Sequence, residues 1–275
     1  MVGPNEKEFM IHSSLLASLS KPLDSLINGP LKAHNGVTHL PETDEATFDR
    51  FCQFAYRGDY EVAELNFTIP VTCRDPEHKV CNSCKKNTKR SNKGSRQSYG
   101  SDGYCNVCDC HRVICVCRKG ALLNHGTDEP KVQALWDAFI QESGISVPML
   151  QSLEIGELAG RCWSDVLLAH ARVYVLADYN MIDALAELAK KKLHQALILF
   201  ELKEDNVDDI TSLVDYVCEN TVDKAEGPDR LRALLYRYCA FNIQQLSPNE
   251  KFRALLDQRG DLGSAIIQQL LERIS

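Results

Sequence analysis

The sequence predicts an α+β protein, a small sheet flanked by helices, with a cysteine-rich insertion and an all-helical C-terminal region. Three observations carry that expectation. Short stretches near the N-terminus alternate with strand periodicity, helical periodicity runs almost unbroken from about residue 164 onward, and between them lies a stretch where both patterns lapse. At 275 residues, with 44% hydrophobic and 25% charged side chains, the chain is long enough to bury a core without disulfides.

In EFMIH, Phe9 and Ile11 alternate on one side, which predicts a short strand. The stretch HSSLLASLSKPLDSLING then switches to helical spacing and reads as two short helices. Ser13 is the expected N-cap of the first; Pro22 opens the second in its first turn, and Asn28 and Gly29 close it. VTHL, residues 37–40, is a second expected strand. In PETDEATFDRFCQFAYRGDY, Phe48, Phe51, Cys52 and Ala55 fall at i, i+3, i+4 and i+7, the stripe of an amphipathic helix; Thr43 or Asp44 caps it and Gly58 follows its last periodic residue.

From about Glu61 the periodicity lapses. Residues 85–103 contain no aliphatic side chain, so nothing there offsets chain entropy and a mobile loop is expected. Order returns near Val132. Val166, Leu167, Val173, Tyr174 and Ala177 share one helical face; Ile182, Leu185, Leu188, Ala189 and Leu193 share the next, so two consecutive helices are expected. Further helices carry Val207, Ile210, Leu213, Val214 and Val217, then Leu231, Leu234, Leu235, Tyr238 and Phe241. A last start signal reads Ser247 as N-cap, Pro248 at N1 and Glu250 at N3.

The order of these pieces resembles a BTB (POZ) domain. The residues that carry the resemblance are Ile11-His12, Leu15, Leu16, Ser20, Leu40-Pro41, Phe48, Phe51, Tyr56 and Gly58, with DVLLAHARVYVLADYNMIDALAELAKKKL similar to the family's closing helix pair. It is most similar to the BTB proteins of filamentous fungi that continue into a helical tail. The resemblance covers residues 2–60 and about 164–197. It implies a discontinuous BTB-like domain over 1–60 and 160–197, an insertion over 61–159 and a helical extension over 198–275. It also implies an interaction module rather than an enzyme: self-association as a homodimer, or recruitment of protein partners, a cullin-type ubiquitin-ligase scaffold among them. The opening Ser-Asp-Val strand of the family is not in this sequence, so homodimerisation is implied less firmly than partner binding. The insertion falls near the surface that cullin-recruiting members use.

The chain has 12 cysteines, eight of them between Cys73 and Cys117. Cys81 and Cys84, and Cys105 and Cys108, form two C-x2-C pairs with twenty residues between them, the spacing of a four-thiolate structural zinc site. Zinc would also supply folding free energy to a segment with few aliphatic residues. Cys73, Cys110, Cys115 and Cys117, with His78 or His111, could complete a second site. Cys52, Cys162, Cys218 and Cys239 are scattered and read as small packing residues.

The net charge of −7 is uneven. Residues 70–125 hold eleven Lys or Arg against four acids, which leaves the rest of the chain at −14. A basic, zinc-bearing segment at 73–119 offers a second functional class, a nucleic-acid-binding or transcription-regulatory protein. Against it, the basic residues concentrate in 85–96 with no aromatic side chain among them, and a solvated charge run is expected instead. No Gly-rich phosphate loop or nucleophile elbow occurs; His12 and His170 read as structural, so no enzymatic activity is expected. No apolar stretch reaches membrane-spanning length, and a cytoplasmic or nuclear location is expected.

Overall fold

The computed structural model describes residues 1–29, 37–62, 130–144, 163–200, 202–224 and 227–274, apart from the side chains of 130–134, 273 and 274. Its helices are α1 (Ser13–Leu19), α2 (Lys21–Asn28), α3 (Glu45–Arg57), α4 (Pro130–Glu142), α5 (Trp163–Tyr179), α6 (Asp183–Leu199), α7 (Val207–Asn220), α8 (Arg230–Phe241), α9 (Ile243–Leu246), α10 (Glu250–Gln258) and α11 (Gly260–Ile274). All of them belong to one packed unit. Helix α4 falls inside the expected insertion, yet it packs with the body.

The expected small sheet does not form among the described residues, and the fold there is mostly helical rather than α+β. The β-type pairings are isolated bridges: Val2 with Lys7 and with Leu40, and Lys224 with Gly227. A ladder needs partners at successive residues. Here Gly3 at φ +72° and Glu6 at φ +51° turn the chain back after a single pair. Residues 8–12 run on without a partner strand; instead the Phe9 ring meets Phe48 of α3 edge-on, 5.0 Å between centroids. Of residues 37–40, only Leu40 forms a β-bridge, accepting from Gly3 N–H and donating to the Met1 carbonyl, while the Thr38 carbonyl accepts from the Met1 ammonium.

Local chemistry sets the N-terminal helices. Ser20 caps α2 by accepting from Leu23 N–H, with Pro22 in the first turn and Gly29 ending it. Asp44 caps α3 by accepting from Thr47 N–H at 2.9 Å, and Gly58 ends it in the left-handed region at φ +73°, where a residue without Cβ is favoured. Helix α1 begins after His12 rather than with Ser13 as its cap, and buries none of its residues. Phe48 and Phe51 are buried, whereas Cys52 and Ala55 of the same stripe are half-buried.

Helices α5 and α6 form a hairpin that carries the rest. Helix α3 packs on α5, α7 on α5, α8 on α6, α7 and α11, and α10 on α7 and α11. The faces read from the sequence are the buried ones, Leu188 alone remaining half-buried. The turn between the hairpin helices is a Schellman motif: Ile182 N–H reaches the Ala177 carbonyl at 2.8 Å and Met181 N–H the Asp178 carbonyl at 3.1 Å. The left-handed position is Met181, at φ +54°, not a glycine.

Near the C-terminus the expected cap moves by two residues. Ser247 closes the short helix α9, its N–H donating to the Ile243 carbonyl, so α10 starts later with Asn249 accepting from Phe252 N–H at 3.0 Å. Asn249 also donates to Asp208 at the start of α7, which ties the two helices together.

Candidate functional site

Eight cysteines singled out as metal ligands, Cys81, Cys84, Cys105 and Cys108 with Cys73, Cys110, Cys115 and Cys117, lie outside the described residues, as do His78, His111 and Cys162. Among the described residues no group of three or more His, Cys, Asp or Glu is arranged to hold a metal ion. Cys218 and Cys239 are buried free thiols and Cys52 is half-buried. Burial pushes the Cys52 thiol up to about 11, with Asp49 adding to it, and raises Cys239 further, so these thiols are held in the unreactive protonated form.

Both histidines read as structural have structural surroundings. His12 donates its N–H to Tyr56 Oη at 3.1 Å, and the same oxygen lies 2.7 Å from His12 Nδ1, linking the start of α1 to the end of α3. His170 of α5 is buried and shares a 2.8 Å hydrogen bond with Tyr60 Oη. Burial, with the Lys192 and Arg50 cations nearby, lowers its pKa to about 3; the ring is neutral at neutral pH. Lys192 of α6 adds to the clamp, donating to the Tyr60 carbonyl, pairing with Asp59 at 2.7 Å and lying 4.9 Å above the Tyr60 ring. This enclosed arrangement fixes the end of the first segment on the α5–α6 hairpin.

The second described segment is fixed to the same hairpin by different chemistry. In α4, Trp136, Phe139 and Ile140 are buried. Phe139 lies 4.2 Å from the His194 ring of α6 and 5.6 Å from Phe241 of α8. Arg237 stacks over Phe139 and grips Glu142 with both terminal nitrogens, at 2.6 and 3.2 Å. That grip lowers the Glu142 pKa. Gln195 donates to the Ser143 carbonyl, and Gly144 turns the chain at φ +72° where a Cβ would meet Lys191.

At the hairpin turn, large apolar side chains stand in solvent, Tyr179 at 85% and Met181 at 69% exposure, and Val222 is 72% exposed on the loop after α7. Lys224 ties that loop to Asp178 at 2.8 Å, and Arg230 bridges Asp183 and Glu187, so ion pairs border the apolar residues.

Sequence reasoning passed over several of these positions. Arg232 sits in the apolar run of α8 with its side chain only 8% exposed. Its guanidinium meets the orphan carbonyls at the end of α7, donating to Cys218 O at 2.8 Å, to Thr221 O and to Thr221 Oγ1, and reaches Asp261 of α11 at 3.3 Å. Asp229 is buried, caps α8 and accepts from Tyr174 Oη at 2.8 Å. A charged residue inside an apolar pattern was the available signal for Arg232. Met181 gave none.

The described residues thus form a helical body with several exposed apolar side chains, and among them no helix is long and apolar enough to cross a membrane. No family model, no curated protein and no solved structure matches the chain.

Proposed function

We propose that the protein is a protein-interaction module that binds through apolar surface of its helical body, with self-association or recruitment of a partner as the output. The observation that carries this reading is the exposure of Tyr179 and Met181 at the hairpin turn and of Val222 on the loop that the Lys224–Asp178 ion pair ties to the end of α5. Large apolar residues bordered by ion pairs mark interaction surfaces. Met181 adds a second argument, because a non-glycine residue at φ +54° costs on the order of 1 kcal/mol and a glycine there would not. An exposed apolar side chain kept at an unfavourable backbone position is better explained by use than by stability.

The BTB-like motifs support the same class. Leu15 and Leu16 lie on α1, Phe48, Phe51 and Tyr56 on α3, and the closing tract on the α5–α6 pair, while the remaining motif residues border these helices; the family's sheet is missing among the described residues. Recruitment of a cullin-type scaffold is one version of the reading and rests on that resemblance. Structural zinc on Cys81, Cys84, Cys105 and Cys108 belongs to the proposal through spacing. Elemental analysis of reduced protein, with and without Cys81→Ser and Cys84→Ser, tests it; metal-free protein contradicts it.

The surface is tested by capturing partners with intact protein and with a Tyr179→Ser/Met181→Gly protein. Loss of the captured partners and of any self-association in the variant supports the reading, and unchanged recovery contradicts it. The basic charge of 70–125 favours the second reading, nucleic-acid binding through 73–119. Salt-sensitive nucleic-acid binding that disappears on deletion of 70–125 would establish it instead.

A further inference from the structure

We infer that the groove lined by α6, α8 and α11 is a receptor for amphipathic helices, that α4 is its built-in occupant, and that the external ligand is a helix with two aromatic residues three apart followed three residues later by an acid. The inference deepens the interaction-module reading and rests on it.

The occupant defines the chemistry. Helix α4 enters the groove with Trp136 and Phe139 stacked at 5.2 Å, one turn apart on the same face. Trp136 meets Phe241 edge-on at 5.1 Å, and Phe139 is fully buried against His194 and Phe241. Glu142, a further turn along, is held by Arg237. A buried aromatic pair beside an arginine that grips a carboxylate is the composition of a binding hot spot, laid out as a helix in a groove. Thirteen residues are too few for a stable isolated helix, so α4 depends on this seat.

Two observations show that α4 does not satisfy the groove completely. A cleft of about 230 Å³ remains beside it, lined by Leu135, Ala240, Phe241, Arg237, Gln269 and Glu272. Against Phe139, the buried His194 ring leaves Nε2 without a hydrogen-bond partner among the described residues. A ligand helix that fills the cleft or reaches that nitrogen would outcompete α4. The built-in helix thus sets a threshold that a partner must exceed, because a tethered occupant has a high effective concentration.

The probe is a fluorescein-labelled peptide with the sequence of residues 130–144, titrated against the full chain. Intact protein should bind it at least tenfold more weakly than a Trp136→Ala/Phe139→Ala protein, whose own helix no longer holds the groove. Adding Arg237→Glu should abolish the gain, and a peptide carrying Glu142→Arg should recover part of it. A double variant that keeps wild-type helical circular dichroism and shows no gain in peptide affinity overturns the inference. Should that variant fail to fold, hydrogen exchange on wild-type protein decides: amides of 136–142 should exchange at least tenfold faster than those of 173–177, and equal protection shows an inseparable helix. Partner capture that survives Arg237→Glu but fails in Tyr179→Ser/Met181→Gly protein defeats only the groove. Capture indifferent to Tyr179 and Met181 defeats the broader reading while the peptide result stands.

Discussion

The first 62 residues and helices α5 to α8 use their apolar faces differently. Helix α8 buries nine residues and α5 and α6 eight each, whereas α1 buries none, α2 only Leu23 and α3 three. The body is held on many sides at once. The N-terminal region is fixed by a few anchors, Phe48, Phe51 and the Tyr60–His170–Lys192 clamp, so its local capping contributes more to its order. Cooperative unfolding should therefore belong to the body, and partial opening to the N-terminal region and α4.

The largest effect expected from breaking that comparison is in the body. Arg232→Ala removes the buried side-chain donor to the Thr221 carbonyl and hydroxyl and leaves the Cys218 carbonyl only its longer hydrogen bond from Arg259, at a cost of about 3 kcal/mol. Denaturant unfolding should show one transition at a lower midpoint. A loss confined to the last turn of α7 would contradict the account.

Acid comes next, and it discriminates between the regions. Both buried histidines have folded pKa values below the ordinary 6.5, His170 at about 3 and His194 at about 4, in each case chiefly through burial; Glu142 partly offsets this at His194. The unfolded chain binds more protons below pH 6.5. Stability is thus fully present above that pH and falls as pH drops from 6.5 toward the folded values, by on the order of 3 kcal/mol for each histidine near pH 4. His170 holds Tyr60 and His194 lies under α4, so exchange measured from pH 6.5 to 4 should show 45–62 and α4 opening before α7 and α8. Simultaneous opening would show that the regions are not separable.

Asp44→Ala should cost about 1 kcal/mol and act locally, raising exchange in α3 while the melting midpoint of the body stays nearly unchanged. The smallest change goes the other way: Met181→Gly relieves the left-handed position and should stabilise the body by up to about 1 kcal/mol. A destabilised glycine variant would mean that the Met181 side chain serves packing rather than binding.

Much of the helical body is legible in the sequence, because Val166 to Ala177, Val207 to Val217 and Leu231 to Phe241 repeat at helical spacing and that repeat is the core face. Asp44 and Gly58 are legible for a similar reason, since a cap and a left-handed stop act within four residues. The missing sheet is not, because the alternation of Phe9 and Ile11 says which sides the residues face but not whether a neighbouring strand exists. The shift from Ser247 to Asn249 depends on α9 having taken Ser247 as its end. Arg232 and Asp229 work through helices distant in sequence, so their roles emerge only when α7, α8 and α11 are brought together.

The central claim is that the activity belongs to the helical body rather than to the basic cysteine-rich segment. It is tested most directly by affinity capture from the protein's own cells with three forms: intact, deleted for residues 70–125, and Tyr179→Ser/Met181→Gly. The account predicts the same partners with the first two and their loss with the third. Partners kept by the substituted protein but lost with the deletion would contradict it.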